Sequence, residues 1–201
     1  MGRVNWKAGN MVYPVPAALV SCGSREEDYN LITVSWTGTV CTNPPLCYIS
    51  LRKERLSHQI ISREKEFVIN LSTEKTARAT DWCGVKSGRD FNKFKECGLT
   101  PLKASVVKAP LVSECPVAIE CRVLEIKELG SHDMFLAEVL SVSVDDRYLD
   151  GESGAFDMHK AGLIASSHGK YCGLKPPLGH FGYSIRKKKK KKKARPKRNQ
   201  S

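Results

Sequence analysis

Short apolar runs with a two-residue period are the feature of this sequence that most restricts its fold. The last five residues of Val117–Val123 alternate between apolar and charged, and the end of Phe135–Val144 alternates between apolar residues and serine. Successive side chains of a β-strand point to opposite faces, so this alternation is typical of half-buried strands. Four further short apolar or β-branched runs predict additional strands, namely Ala17–Ser21, Leu31–Trp36, Leu46–Leu51 and Phe67–Leu71.

Three stretches have helical character. Leu56–Arg63 repeats apolar residues at helical spacing, Glu74–Trp82 is rich in helix formers, and Asp90–Cys97 places two phenylalanines about one turn apart. Strands outnumber helices, and regular helices do not separate the strands, which argues against a doubly wound parallel sheet. The pattern predicts a mainly β protein, built as an antiparallel barrel with a few short helices.

The positive charge of the chain is concentrated at one end. The formal net charge is +12, and the eleven lysines and arginines between Arg186 and Arg198 account for all but about one of these charges. The preceding residues therefore carry almost no net charge. We expect one folded domain over residues 1–185 and a disordered polybasic tail over residues 186–201.

The lengths of the apolar runs bear on the location of the protein. All are far shorter than the roughly 20 residues that span a bilayer, and the N-terminus has no apolar signal-peptide core. We therefore expect a cytoplasmic protein with no transmembrane segment.

The eight cysteines should stay reduced in the cytoplasm, mostly as small buried side chains. None of them forms a C-x-x-C pair and the five histidines are scattered, so no metal site is expected.

Motifs of several enzyme classes are absent. The sequence contains neither G-x-G-x-x-G nor G-x-x-x-x-G-K-[ST], the two common nucleotide-binding fingerprints. It also lacks G-x-S-x-G and H-E-x-x-H, which argues against hydrolase and metalloenzyme functions. Candidate sites must therefore be sought among local clusters of polar residues.

One such cluster consists of small hydroxyl side chains at every second position. Thr33, Ser35, Thr37 and Thr39 follow this spacing, on one side of a strand that runs into a loop. A face lined in this way could hydrogen-bond the edge of a heterocycle or a ribityl chain. The alternative is the ordinary preference of threonine for the solvent face of a strand.

A second cluster surrounds the start of the first predicted helix. Arg52 ends a predicted strand, and Ser57-His58 begins the helix. The planar guanidinium of an arginine and the free amides of a helix N-terminus both suit a phosphate group. The alternative is that the charged residues from Arg52 to Arg55 form a solvated turn.

A third cluster precedes the helix predicted at Asp90–Cys97. Ser87 and Asp90 have the S-x-x-D spacing of a helix N-cap, so capping is the expected role of this segment. A second use as an anion contact is an open alternative.

Taken together and in order, these segments resemble the flavin reductase family, and its flavoredoxin-type members especially. The resemblance extends over roughly residues 10–185. The matching segments are Asn30–Leu46, Asp81–Phe94, Gly98–Pro101, His132–Val139, Tyr171–Leu174 and Gly179–Gly182. The family implies an FMN-binding, antiparallel Greek-key split β-barrel that forms a homodimer with the flavin near the interface. The polybasic tail is not part of the family pattern.

The resemblance also implies roles for individual residues. The isoalloxazine ring and ribityl chain would contact, largely through backbone groups, the segment Thr33, Val34, Ser35, Trp36, Thr37 and Thr39. Cys41 and Thr42, which follow it, are further candidate cofactor-binding residues. The phosphate would be approached by Arg52, Ser57 and His58, with Asn70, Leu71 and Ser72 near the ring or ribityl chain; Ser50 is a further candidate cofactor-binding residue. Cys83, Lys86 and Ser87 would close the site, within a segment Cys83–Lys93 that helps to hold the flavin. His132 matches a histidine near the reactive face of related reductases, and is the candidate catalytic residue.

The implied activity is electron transfer from NADH or NADPH through noncovalent FMN to an acceptor that the sequence does not identify. One alternative is an FMN electron carrier without its own NAD(P)H site. Another, which rests on the tail alone, is a nucleic-acid-associated binding module. In either case the segment Arg186–Arg198 could contact nucleic acid weakly, or an anionic surface.

Overall fold

The structure, a computed structural model, describes residues 2–185. Its helices are α1 (Leu56–Glu64), α2 (Ala77–Val85) and α3 (Lys93–Cys97), with short 3-10 turns at Glu26–Asp28, Glu74–Thr76, Asp146–Tyr148 and Tyr183–Ile185. Its strands are β1 (Val15–Pro16), β2 (Ala18–Cys22), β3 (Asn30–Val34), β4 (Thr37–Thr42), β5 (Pro45–Leu51), β6 (Glu66–Leu71), β7 (Pro101–Leu102), β8 (Leu111–Val112), β9 (Val117–Glu128), β10 (Asp133–Val144), β11 (Ile164–Ser167) and β12 (Lys170–Gly173).

Seven strands form one antiparallel sheet in the order β3-β2-β6-β9-β10-β5-β4. Its two outermost strands, β3 and β4, are consecutive in the chain and are separated only by Ser35 and Trp36. So short a connection brings the two edges together, and the sheet must roll into a barrel. The backbone N–H of Ser50 on β5 donates to the carbonyl of Trp36 at 2.9 Å, across this corner. The mainly β, antiparallel barrel predicted from the sequence is thereby confirmed.

Two apolar clusters stabilise this arrangement. The larger one fills the barrel, where Phe67 and Phe135 are fully buried. The second lies on the outer face of β2 and β3, where Leu19 and Leu31 pack against Cys83 of α2 and Phe94 of α3. This second cluster fixes α2 and α3 against β3, and so determines where the segment between those two helices lies.

Two smaller sheets complete the described part of the chain. Strands β1, β11 and β12 form one of them, and β7 pairs with β8 in the other. None of these five strands was predicted, because each has only two to four residues and depends on its tertiary partner rather than on a local pattern. No described helix has the length and apolar character needed to cross a membrane.

The six predicted strands and three predicted helices are all present, with differences at their ends. The helix expected at Glu74–Trp82 is a 3-10 turn over Glu74–Thr76 followed by α2, and β9 continues to Glu128. The run Leu31–Trp36 is not one strand, because β3 ends at Val34 and the chain turns into β4. The helix expected at Asp90–Cys97 starts only at Lys93, and its N-cap is Asn92, whose side chain accepts from the Lys95 N–H at 3.1 Å. Ser87 instead accepts from the Arg89 N–H at 3.2 Å within a turn. The predicted tail, residues 186–201, lies outside the described residues.

Candidate functional site

A cavity of about 260 Å³ lies at the N-terminus of α1. Three segments form its walls. Asn30 and Ile32 of β3 contribute one wall, the residues from Glu54 to Ser57 a second, and the segment from Lys86 to Arg89 together with Lys93 the third. The first two segments belong to the predicted Asn30–Ser57 region and the third to Cys83–Lys93, so the fold brings the two regions together.

The cavity is strongly cationic. Four basic residues line it, against one carboxylate, that of Glu54. They are Arg55, Lys86, Arg89 and Lys93. Arg89 also donates from Nη1 to the carbonyl of Glu54 at 3.0 Å, which ties two of the walls together. A near-neutral domain thus concentrates positive charge at one concave place, which favours an anionic ligand.

The N-terminus of α1 adds further donors. Arg55 is its N-cap, and no side chain caps the helix there. The first amides of a helix have no partner within the helix, and the helix dipole places partial positive charge at this end. Ser57, in the first turn, is buried and lines the cavity. Such a helix end is well suited to bind a phosphate or carboxylate group.

Lys93 is the most unusual of the cavity residues because it is only 4% exposed. Its Nζ donates to the backbone carbonyl of Cys83 at 2.7 Å. Among residues 2–185, no carboxylate forms an ion pair with it. Burial lowers the pKa of the Lys93 ammonium from its usual 10.5, because a buried charge loses its hydration. An anion in the cavity would compensate this charge.

A glycine allows one wall of the cavity to approach β3 closely. The Nδ2 of Asn30 donates to the Ser57 hydroxyl at 2.8 Å, which joins β3 to α1. The backbone of Gly88 lies against the other side of the same amide, and a Cβ at position 88 would overlap Oδ1 of Asn30. Only glycine fits at this position without displacing either the wall or Asn30.

A second feature lies at the corner between β3 and β4. The indole of Trp36 packs against the imidazole of His132, with ring centroids 4.6 Å apart and planes tilted by 41°. Nδ1 of His132 lies 2.9 Å from the hydroxyl of Ser131. Partial burial, and secondarily the positive charge of Arg52, lower the pKa of His132 from its usual 6.5, so the imidazole is neutral at pH 7.

The turn after β5 links the corner to the cavity. Arg52 Nη1 lies 3.9 Å from Oε1 of Glu54, which lines the cavity, while the charge of Arg52 acts on His132. Of the residues predicted from the sequence, Ser57, Lys86 and Ser87 line the cavity. Trp36 and His132 form the neighbouring pair, and Arg52 lies between the two features.

The hydroxyl series Thr33 to Thr39 does not share one face of a single strand, because the chain turns at Ser35 and Trp36. The Thr33 hydroxyl donates to the carbonyl of Thr80 on α2, and the Thr37 hydroxyl donates to the carbonyl of Tyr48 at 2.6 Å. The other residues predicted here divide by position: Val34 points into the barrel core, and Thr39, Cys41 and Thr42 lie on β4. The side chains of Thr33 and Thr37 are thus engaged within the protein, whereas those of Thr39 and Thr42 are exposed on β4.

Several other predicted side chains have partners inside the protein. Asn70 donates to the Leu19 carbonyl and the Ser21 hydroxyl, both at 3.0 Å, and accepts from the Val112 N–H at 2.9 Å. His58 Nε2 lies 2.8 Å from Oδ2 of the buried Asp133. These bonds join elements of the barrel, and neither residue lines the cavity.

Three further predicted side chains, those of Leu71, Ser72 and Cys83, also have partners inside the protein and do not line the cavity. Ser72 accepts from the Thr80 hydroxyl at 2.8 Å, and Leu71 packs against the barrel core. The side chain of Cys83 is fully buried, and burial raises its pKa to about 12. The backbone N–H of Ser50, which donates to the carbonyl of Trp36, lies at the corner between β3 and β4.

The residue list drawn from the sequence lacked several cavity residues, although the predicted segments contained them. Those residues are Asn30, Ile32, Glu54, Arg55, Leu56, Gly88, Arg89 and Lys93. The signal for Arg89 was the S-G-R-D cluster, considered as an anion contact. No local signal distinguishes Lys93 from the exposed Lys95 on the same short helix, since charged residues are normally exposed.

The chain is similar to known proteins over most of its length. The sequence model of the flavin reductase like domain matches residues 10–175. An uncharacterized protein of Archaeoglobus fulgidus is 30% identical over 159 residues, which cover 79% of this chain and 87% of that protein.

Solved structures share the fold. Flavoredoxin of Desulfovibrio vulgaris (Miyazaki F) is 28% identical with a TM-score of 0.85, covering 92% of this chain and 100% of that chain. The FMN-binding protein from Thermus thermophilus with bound 1-cyclohex-2-enone is 23% identical with a TM-score of 0.73, covering 88% and 100% respectively. The barrel is accordingly the split barrel that the sequence predicted. The chain belongs to the flavin reductase like family.

Proposed function

We propose that this protein binds FMN noncovalently and catalyses electron transfer from NADH or NADPH through the flavin to an acceptor. One observation carries the proposal: a cationic cavity at an uncapped helix N-terminus lies beside the half-buried pair Trp36–His132. The first suits the phosphate of a mononucleotide, and the second offers flat surfaces beside which a flavin and a nicotinamide could lie.

The residues present fit FMN on chemical grounds. A phosphate dianion would be held by the α1 amides, the Ser57 hydroxyl, Arg55, Arg89 and the ammonium of Lys93. From there the ribityl chain and ring would follow the corner formed by Thr33–Thr42, largely along its backbone, with Lys86 and Ser87 over the phosphate end. When bound, FMN supplies the redox chemistry, because its isoalloxazine accepts and donates electron pairs.

The roles of the remaining side chains are positional. A neutral His132 imidazole, fixed against Trp36, would orient the nicotinamide without placing a positive charge beside it. The Trp36 indole would exclude water from the same surface. Asn70, Ser72, Cys83 and His58 would act indirectly, by fixing the elements that carry the site.

We also propose a cytoplasmic homodimer. Large apolar side chains protrude from both ends of the described chain, where Trp6 is 74% and Phe181 is 106% exposed. Exposed apolar surface of this kind supports a protein–protein contact. A cytoplasmic location is consistent with NADH or NADPH as the electron donor. The division of the chain into a domain of residues 1–185 and a separate polybasic segment of residues 186–201 remains part of the same proposal.

A second candidate is an FMN electron carrier without its own NAD(P)H site. The similarity to flavoredoxin favours it. The two candidates share the cavity and differ in whether a nicotinamide binds beside His132.

The experiment starts from the purified full-length chain, reconstituted with FMN and freed of excess flavin. Bound oxidised FMN should give a yellow protein, and the flavin released by denaturation should co-elute with FMN. Failure to bind FMN would refute both candidates.

Steady-state oxidation of NADH and of NADPH then separates the two candidates. Turnover with free FMN or ferricyanide as acceptor is expected for a reductase. Bound FMN that a protein donor reduces, without turnover by either nicotinamide, would establish the carrier instead. A chain that ends at Ile185 serves as the control for the tail, and we expect it to retain FMN.

A further inference from the structure

We propose that Cys83 and Cys97 form a reversible disulfide that fixes one wall of the cavity. The two sulfur atoms lie 3.7 Å apart, in van der Waals contact, and both residues are free cysteines. The disulfide itself does not depend on the identity of the ligand. Its effect on flavin affinity rests on the proposed function.

The position of the pair relative to the cavity is the first argument. Cys83 belongs to α2 and Cys97 ends α3, and the segment between them supplies Lys86, Ser87, Gly88, Arg89 and Lys93 to the cavity. A disulfide would close a ring of 15 residues around that wall. Because cross-linking the ends of a segment restricts its freedom, the bond would hold these cationic groups in place.

Lys93 gives a direct connection between the pair and the cavity. It is the first residue of α3, and its ammonium donates to the carbonyl of Cys83 itself at 2.7 Å. A bond between the two sulfurs must shorten their separation to about 2.05 Å. Drawing α2 and α3 together in this way would reinforce the hydrogen bond that places the Lys93 ammonium beside the cavity.

Access for an oxidant is the second argument. Cys83 is fully buried, but Cys97 is only partly buried and lines a separate surface cavity of about 320 Å³. A small oxidant can therefore reach Cys97 first, with Cys83 behind it as the resolving thiol.

A second cysteine pair shows why proximity alone is insufficient. The sulfurs of Cys47 and Cys121 are 3.5 Å apart, which is closer than those of Cys83 and Cys97. Both residues lie in the barrel core, at 5% and 0% exposure, and neither lines a described cavity. This pair is the internal control, since it has the contact without the access.

The chemistry requires an oxidant of the peroxide class. The Cys97 thiolate attacks one peroxide oxygen, the O–O bond breaks, and the departing hydroxide takes up a proton to become water. The Cys83 sulfur then loses its proton and attacks the resulting sulfenic acid. The S–S bond forms, the S–O bond breaks and a second water leaves. The two thiols together give up two electrons and two protons, which the peroxide takes up.

The rate should depend on pH. Burial raises the pKa of Cys97 and raises that of Cys83 to about 12, so little thiolate is present at neutral pH. Formation of the disulfide should accelerate as the pH rises from 7 to 9. A dithiol reductant should reverse it.

The test uses the full-length chain carrying Cys172→Ser, which removes the exposed cysteine that could link two molecules. The protein is treated with hydrogen peroxide, the free thiols are blocked, and trypsin peptides are analysed by mass spectrometry. We expect Ala79–Lys86 to be linked to Glu96–Lys103, each carrying one cysteine of the pair. Linkage of Cys47 to Cys121 at the same rate, or oxidation without the expected link, would overturn the proposal.

Two readouts then test the effect on the wall. Brief trypsin treatment of the native protein should cut at Lys86 and Arg89 at least about threefold more slowly after oxidation, with or without flavin, because cleavage needs a mobile segment. FMN should dissociate at least about threefold more slowly from the oxidised form, since a fixed wall is preorganised for its ligand. Neither change should occur with Cys97→Ser added.

The outcomes separate this inference from the proposed function. A link that leaves the trypsin cuts unchanged overturns the inference about the wall, whatever the ligand. Slower cutting in a protein that does not bind FMN supports the disulfide and refutes the flavin function. Slower cutting with unchanged FMN dissociation shows that the wall is fixed without influence on the flavin, and overturns the coupling.

Discussion

The ammonium of Lys93 donates a 2.7 Å hydrogen bond to the carbonyl of Cys83, from a side chain that is almost completely buried. A buried cation without a carboxylate partner lowers the stability of a folded protein, because the charge loses its hydration. In a cavity that also contains a helix N-terminus and three other cations, the same charge becomes favourable once an anion binds. This relationship makes Lys93 the best position at which to test the cavity.

Replacing Lys93 by methionine should weaken FMN binding by roughly 10- to 100-fold, in keeping with about 1.5–3 kcal/mol for a hydrogen bond to a charged group. Methionine keeps the apolar stem but carries no charge. The measurement is quenching of FMN fluorescence on titration with apoprotein. Lys95→Met is the matched control, since Lys95 is exposed on the same helix and should leave the affinity within about twofold. Equal losses in both variants would contradict this role for Lys93.

The pH dependence of binding provides an independent prediction. Burial lowers the pKa of Lys93 from its usual 10.5 in the free protein. As the pH rises, the ammonium therefore loses its proton at a lower pH than an exposed lysine does. Neutral lysine attracts phosphate far less than the ammonium does. FMN affinity should therefore fall as the pH rises through the lowered pKa, and should already decline before pH 10.5. Titrations between pH 7 and 10 should show this decline in the native chain and a flatter profile in Lys93→Met. An identical slope in both would assign the titration to another group.

Gly88→Ala should disrupt the cavity with little effect on the barrel. The added Cβ would overlap the Asn30 amide, so either the Lys86–Arg89 wall or Asn30 must move. We expect FMN affinity to fall at least about tenfold, because the wall carries two of the four cations, while the loss of stability stays below about 2 kcal/mol. Calorimetry and thermal unfolding measure the two effects. Gly151→Ala is the control, since nothing lies within 4 Å of a Cβ there.

Six of the seven strands of the barrel, all except β4, and the three helices were predictable because their signal is periodic and local. The corner at Ser35–Trp36 was not, because small hydroxyl residues continue to alternate through it and the pattern does not change where β3 becomes β4. The turn is imposed by tertiary pairing: β3 pairs with β2 while β4 pairs with β5. A sequence pattern cannot show that one alternating run is shared by two strands.

The cavity was predictable only as two segments. The arginine and helix start near Ser57 and the S-G-R-D cluster both suggested an anion, but their meeting depends on α2 and α3 packing against β3. The burial of Lys93 follows from the same packing and leaves no trace in the local sequence. The resemblance supplied the order of the segments, whereas the structure supplied the side chains that face the cavity.

Glu120 provides a prediction about stability that is separate from the site. Its fully buried carboxylate accepts from the Ser105 hydroxyl at 2.5 Å and from the N–H groups of Val106 and Val107 at 2.7 and 3.1 Å. Burial alone would raise its pKa, but these hydrogen bonds outweigh burial and hold the pKa below the usual 4.5. The stabilisation is therefore complete above pH 4.5 and is lost as the pH falls through the lowered pKa.

Glu120→Gln should thus cost about 1–3 kcal/mol of unfolding free energy at pH 7, and less at low pH. Urea unfolding at several pH values measures both effects. Glu125→Gln, at an exposed position of the same strand, should be neutral within about 0.5 kcal/mol. A Glu120→Gln cost that stayed constant down to pH 3 would contradict the assignment of the titration to Glu120.

The pair Trp36–His132 should affect turnover without affecting flavin affinity. The imidazole packs on the indole with centroids 4.6 Å apart, whereas His132 does not line the cationic cavity. His132→Asn keeps a polar side chain but removes the ring that would orient the nicotinamide. We expect kcat/KM for NADH or NADPH to fall roughly 10- to 100-fold, the size usual for loss of substrate positioning, with the Kd for FMN unchanged within about twofold. Stopped-flow reduction of bound FMN isolates this step from product release. Unchanged reduction rates would remove His132 from the nicotinamide site, while a parallel loss of FMN affinity would show that the ring supports the flavin itself.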